Sequence, residues 1–477
     1  MSAIVVIGAG VGGLAAAVRL ARAGHTVTVH EQAPELGGKL GRYERDGFVF
    51  DTGPSLLTLP QVFADLGLHL DLQPLDPVVR HVFPDGSVLD SSPDPAIFRA
   101  RIADAFGAAA AADWSRFWRR AERIWHASWE SVLQREVSTA TLARLSWRIG
   151  DLLAIAPGRS LRSLGRQYLR DWRLRMLLDR YATYTGADPR RAPAALAAVP
   201  YAELAFGGWY LPGGLRLIAD ALQARCAELG VRIHLNSPVA AITTTAGRVT
   251  GVRLATGTHV PADVVVSDVD AVTLYRDLLP TPTRLAQLSD RSLAGFVMLL
   301  GVNGHTPSLA HHTVYFPRNY NAEFNAVFGH GSRARPASHP TIFITRATDP
   351  AVHPTGAEAW FVLVNAPRHG TAASAVNWER PGLATAYADH LLETLATRGL
   401  DVRDRLRFRE TRTPADLAAA TASPGGAIYG TAGGLLRPAN RGPVDGLHLV
   451  GGSAHPGGGL PMVTLSAKIV AESLGPA

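Results

Sequence analysis

Residues 3–31 read AIVVIGAGVGGLAAAVRLARAGHTVTVHE, and the layout of this stretch decides the fold. Ala3 to Ile7 is a short, β-branched apolar run, the pattern of a strand buried on both faces of a parallel sheet. The turn that follows carries Gly8-x-Gly10-x-x-Gly13, with a further glycine at Gly12. A helical pattern then runs from Leu14 to Arg22 and is ended by Gly24. A second strand, Thr26 to His30, stops at Glu31. The spacing has physical reasons. Gly8 permits the tight turn out of the strand, Gly10 lets the backbone approach a pyrophosphate, and Gly13 lets the helix pack on the sheet. The positive helix end then faces the pyrophosphate, and Glu31 can take two ribose hydroxyls. Strand, glycines, helix, strand and acid in register predict an α/β, Rossmann-like domain that binds a dinucleotide.

The whole chain bounds what surrounds that domain. Its 477 residues predict two or three domains. With 47% hydrophobic and 18% charged residues the composition is globular. No apolar run reaches the roughly 18 residues of a spanning helix. The first strand begins almost at once, without a basic leader, which predicts a cytoplasmic rather than a secreted protein. Cys226 is the only cysteine, so no internal disulfide can form. The formal charge is +7, and Lys39 and Lys468 are the only lysines among the basic residues. Such a charge favours an anionic surface. Nucleic acid is not expected as a partner, because no recognition motif accompanies it.

From residue 95 to about residue 180 the period turns helical. Trp114, Trp118, Trp125 and Trp129 are spaced four, seven and four apart, roughly on one face. The segments "LARLSWRIGDLLAI" (142–155) and "LRSLGRQYLRDWRLRMLLDRYATYTG" (161–186) interleave arginines with leucines and aromatics. A basic amphipathic helix with tryptophan is the profile of a peripheral membrane segment, and equally that of a helical subdomain with an aromatic core. A hairpin is expected at Pro84-Asp85-Gly86. After residue 200 the order returns to α/β, with a helix over Leu215 to Leu229 and a buried strand over Ala262 to Ser267. From Leu293 strand-like runs recur between turns, which predicts an antiparallel sheet. The chain closes on the glycine-rich "LVGGSAHPGGGLPMVTLSAKIVAESLG" (449–475), with a helix beginning at Pro461. Gly451, Gly452 and Gly459 fall in its glycine run. His311 and His312 are adjacent and would point to opposite faces of a strand, so no shared metal is expected.

Glu31 is followed by Gly37-Gly38-Lys39 and then by "DGFVFDTGPSLL" (46–57). With "AFGGWYLPGGL", "ADVVVSDVD", "GGAIYG" and the C-terminal run, these landmarks resemble the carotenoid (phytoene) desaturase family of FAD-dependent oxidoreductases across essentially the whole chain. The tail is most similar to that of carotenoid 3,4-desaturases of the methoxyneurosporene dehydrogenase or hydroxyneurosporene desaturase type. The resemblance implies FAD as cofactor and a C40 polyene as substrate. Double bonds would form by hydride transfer to flavin N5, on a protein peripherally associated with a membrane surface.

Further implications fall on particular residues. Gly38 and Lys39 would lie near the cofactor phosphates, and Gly53, Pro54 and Ser55 near the flavin. Val239 would bind adenine through its backbone. Pro461, Met462 and Val463 would open a helix whose N-terminus faces the flavin's pyrimidine edge. His455 is a candidate proton acceptor, with a structural role beside Pro456 as the alternative. The implied organisation is a discontinuous FAD domain (1–80, 200–290 and 420–477), a substrate domain with an antiparallel sheet (81–95 and 291–419) and a helical, membrane-associated subdomain (96–199). The electron acceptor, quinone or dioxygen, leaves no motif. Phytoene desaturase, an amine oxidase-like enzyme and a non-catalytic isoprenoid binder of the GDP-dissociation-inhibitor type remain alternatives.

Overall fold

The computed structural model describes residues 1–136, 150–151, 155–288, 291–432 and 437–477. Its nucleotide-type sheet has five parallel strands: β1 (Ala3–Ile7), β2 (Thr26–His30), β3 (Arg232–His234), β4 (Val264–Ser267) and β5 (Leu447–Leu449). Their order is β5-β4-β1-β2-β3, which puts β1 between β2 and β4. Helix α1 (Val11–Arg22) follows β1 directly. Leu14, Ala15, Ala16 and Ala17 of α1 are buried, because small side chains let it lie flat between the sheet and the C-terminal helix. The opposite face of the sheet is covered by an antiparallel three-stranded meander, 239–261.

A second sheet has seven strands. In order they are Leu406–Arg412, Ala294–Asn303, Ala357–Ala366, Ile342–Arg346, His312–Tyr315, Arg80–Val82 and Val88–Asp90. The pairs are antiparallel except His312–Tyr315 with Arg80–Val82. The hairpin at residues 84–86 thus extends this sheet.

The tryptophan stripe requires a correction. Helix α2 (Ala108–Ser128) does align its tryptophans, but the face points inward. Trp114 and Trp125 are only 3% and 4% exposed, and Trp118 and Trp129 pack half-buried on the same core. Phe98 meets Trp114 edge-on, while Trp125 lies against Tyr201 and Phe206 of the helix Ala198–Phe206. Spacing identifies a face; what covers that face is settled by tertiary packing. Several arginines are also committed: Arg162 to Asp179, Arg170 to Asp113 and Arg173 to Asp171. Of the aromatics expected at a membrane, Trp172 is exposed, at 40%. Trp147 and most of the segment 142–155 lie outside the described residues. No described helix is long and apolar enough to cross a membrane.

Candidate functional site

Gly8 through Gly13 form the turn from β1 into α1, and the close approaches demanded by the sequence are present. A Cβ on Gly12 would lie 2.6 Å from Asp268 Oδ1 and 2.9 Å from the Cα of Gly451. A Cβ on Gly13 would collide with the carbonyl of Gly8, so valine or even alanine there would push the helix off the strand. Gly37 N–H donates to the carbonyl of Ala9 at 2.8 Å, which brings Gly38 against Gly10. Glu31 is buried, and its two carboxylate oxygens accept from Ala9 N–H (2.7 Å) and Ala33 N–H (2.8 Å). It therefore stands at the mouth of the loop with acceptor capacity left for ribose hydroxyls. Beside it, Ser237 N–H donates to the Glu31 carbonyl at 2.8 Å, so the chain entering Val239 runs past the same end of the sheet.

The tail approaches from the other side. Gly451 follows β5 and meets Asp268; Gly458 packs under Tyr429, where a Cβ would come within 2.6 Å of the ring. A Cβ on Gly452 would make only ordinary contact with Gly458, and one on Gly459 would meet nothing within 4 Å. These two positions line a cradle that side chains would fill. Helix α5 (Leu460–Leu474), preceded in the chain by α3 (Trp172–Arg180) and α4 (Ala198–Phe206), then starts with Pro461 in its first turn. Met462 reaches the helical core cluster, and Val463 the one beneath the five-stranded sheet. Opposite the tail, a Cβ on Gly53 would strike the Lys39 carbonyl; Pro54 follows, and Ser55 shares a 2.7 Å hydroxyl contact with Thr345.

Two expected roles change. Lys39 does not offer a free ammonium to phosphates; it donates to the carbonyls of Ala427 (3.0 Å) and Ile428 (2.8 Å) and ties down the loop leading to Tyr429. Burial brings its pKa down to about 8, against the pull of Asp270. The unfolded chain holds that proton to about pH 10.4, so stability should rise with pH between about 8 and 10. The gain is about 3 kcal/mol, and it should appear as a rising urea midpoint that Lys39→Met does not share.

His455 is the second change. It is fully buried, and its Nε2 contacts the carbonyl of Val132 at 3.1 Å. Burial holds its pKa below the ordinary value. The imidazole joins the tail to the end of the helical region, and this placement does not support the proton-accepting role. His312 is similarly spent, on the carbonyls of Val78 and Ser55, and no group of three or more potential metal ligands occurs among the described residues.

The sequence reading missed Asp268 and Arg180. Asp268 directly follows β4, and because β4 is the neighbour of β1 its side chain enters the glycine loop. That topology, invisible in a single strand's sequence, was the available signal. Arg180 ends α3 and is 5% exposed. Its guanidinium bonds the Tyr184 hydroxyl at 3.0 Å and lies over the rings of Tyr184 and Phe343. Among the described residues it has no ion pair. Tyr429, the residue on Gly458, feels its charge.

The buried acid, the glycine-lined turn and the open cradle along the tail fit a flavin dinucleotide. The family model for flavin-containing amine oxidoreductases matches residues 11–474. The chain belongs to that family. Two relatives align over nearly all of it. It is 33% identical over 492 residues to a 4,4'-diapolycopene oxygenase of a Methylomonas species, covering 99% of this chain and 97% of the relative. It is 32% identical over 505 residues to a 4,4'-diaponeurosporene oxygenase of Staphylococcus aureus, with the same coverage. Among solved structures, an oxidoreductase of Methanosarcina mazei superimposes with a TM-score of 0.66 at 17% identity, over 98% of this chain and all of that one. Putrescine oxidase bound to putrescine gives 0.60, also at 17% identity, over 99% and 98% of the two chains. These two likenesses concern the fold alone. As a member of the flavin-containing amine oxidoreductases, the protein is an FAD-dependent oxidoreductase. Gly8, Gly10, Gly12, Gly13 and Glu31 would hold the dinucleotide half of the cofactor, and the 451–463 tail would face the flavin half.

Proposed function

We propose that the protein is a carotenoid-modifying flavoenzyme that oxidises one end of a linear polyene to an oxygen-bearing group. Full-length likeness to two enzymes named as oxygenases of linear carotenoids carries this reading. When bound, FAD would supply the two-electron acceptor for a hydride leaving the end carbon; water would supply the oxygen that adds there, and its proton would pass to solvent. The chain supplies walls and one polar contact. Tyr184, Phe343 and Met462 pack half-buried on the helical core and Tyr429 sits on Gly458 of the tail, mostly apolar groups suited to a polyene. Arg180 is the exception: a buried guanidinium that bonds Tyr184 and faces the buried carboxylate of Glu203, with N–H donors to offer an oxygen that a hydrocarbon end does not need. This favours end oxidation over the 3,4-desaturation suggested by the tail, though both remove hydrogen near the chain end.

Expression in a bacterium that accumulates linear carotenoids, followed by mass analysis of the pigments, separates the readings. Products that gain oxygen at an end group support the proposal. Products that only lose hydrogen support 3,4-desaturation, and unchanged pigments contradict both. Delivery of such a substrate implies a membrane surface, and Trp172 is the exposed aromatic in position to touch one. Trp172→Ala should weaken flotation with anionic liposomes while leaving the thermal midpoint in place. Trp125→Ala should instead lower that midpoint, by removal of about 3–5 kcal/mol of core packing. Full flotation of the Trp172 variant would exclude this contact.

A further inference from the structure

We propose that Asp268 binds the FAD pyrophosphate as a neutral carboxylic acid, so that cofactor binding takes up one proton. The position of the side chain leaves it little choice. Asp268 N–H donates to the Ile7 carbonyl at 2.9 Å, which fixes the residue at the top of β4 beside the turn out of β1. A Cβ on Gly12 would lie 2.6 Å from its Oδ1, and one on Gly13 would lie 3.3 Å from its Oδ2. Cβ atoms on Gly10 and Gly451 would collide with the same carboxyl group. Four glycines thus converge on one acid, at the helix end where a dinucleotide places its phosphates.

The charges around that acid do not suit an ionised state once the cofactor is present. Glu31 and Lys39 are the charged groups that face it. The first turn of α1 contributes no acid, and the facing tail contributes Gly451. Lys39 spends its ammonium on the Ala427 and Ile428 carbonyls, and the nearby Asp270 and Arg291 pair with each other at 2.8 Å. An ionised Asp268 would add a carboxylate to Glu31 and a dianionic pyrophosphate, with one committed cation in reach. At a few ångströms in a dry site that repulsion is worth several pH units. A protonated Asp268 does the opposite and donates its O–H to a phosphate oxygen.

The protein already prepares this state. Burial pushes the Asp268 pKa up to about 7, with Glu31 adding to the rise and the Gly13 N–H and Lys39 opposing it. The phosphate charge raises it further on binding. Above about pH 7, binding must therefore draw a proton from solution, and the FAD dissociation constant rises by up to about tenfold per pH unit. Asparagine donates at every pH and carries no charge, so Asp268→Asn should bind FAD more tightly above neutrality and lose this slope.

The test uses diluted holoenzyme and measures released flavin by fluorescence from about pH 6 to about pH 9. Wild-type protein should release progressively more flavin above neutrality, and Asp268→Asn should not. An equal slope in the two proteins, or none in the wild type, would overturn the assignment. A second readout needs no variant. Calorimetry of FAD rebinding at about pH 8, in two buffers of different ionisation enthalpy, should show uptake of about one proton. Zero uptake would also overturn it.

Discussion

Gly12→Val should cost the protein about 100-fold in FAD affinity, or about 3 kcal/mol. The first carbon of the new side chain would meet Asp268 Oδ1 at 2.6 Å and the Gly451 Cα at 2.9 Å. The Gly451 backbone cannot yield cheaply, whereas the Asp268 carboxyl would have to turn away. Gly451 is backbone in the turn after β5, and the main chain of Asp268 is held by its N–H on the Ile7 carbonyl, so only its carboxyl can move. The two arms of the site, one following β1 and one following β5, would be wedged apart where they must close on the cofactor. The hydrophobic sheet beneath is untouched, so the fold should survive with reduced flavin. Purification followed by flavin absorbance and a thermal midpoint checks this. Full flavin occupancy in the variant would show that the contact between the two arms does not control binding.

Arg180→Met should lower turnover of a linear carotenoid by about 30-fold without loss of flavin. The figure follows from losing one charge-assisted hydrogen bond, about 2 kcal/mol. Stability should fall as well, because the buried Glu203 loses the positive charge it faces. Burial disfavours the Arg180 charge, but the Tyr184 bond, the Phe343 ring and the buried carboxylate of Glu203 together hold it charged. Methionine keeps the volume and removes the charge. If Arg180 were mainly structural, turnover per bound flavin would be unchanged while flavin content and midpoint fell. Turnover, flavin content and midpoint measured on one preparation distinguish these outcomes.

Much of the cofactor domain was legible in the sequence because its signals are local. β1, β2 and the hairpin at residues 84–86 follow from runs a few residues long, and Gly13 must be small for a reason contained within six residues. The antiparallel strands after residue 293 carry the same kind of signal. Other features depend on what lies across the fold. The tryptophans of α2 share a face, but only the helices against Phe98 and Phe206 reveal that it is an inner one. Lys39 looked like a phosphate ligand until the loop carrying Ala427 and Ile428 was seen to lie over it. Asp268 is 255 positions after Gly13 in the chain and adjacent to it in space. Arg180 sits in an arginine-rich run and is set apart from its neighbours by burial alone.

The most direct test of the central claim is a single-turnover reaction without air. Holoenzyme in liposomes is mixed with a linear carotenoid, and separately with a simple amine, and the products are weighed by mass spectrometry. The account predicts about one oxidised carotenoid per bound flavin, its oxygen drawn from water, and no conversion of the amine. An unmodified polyene beside an oxidised amine would contradict it.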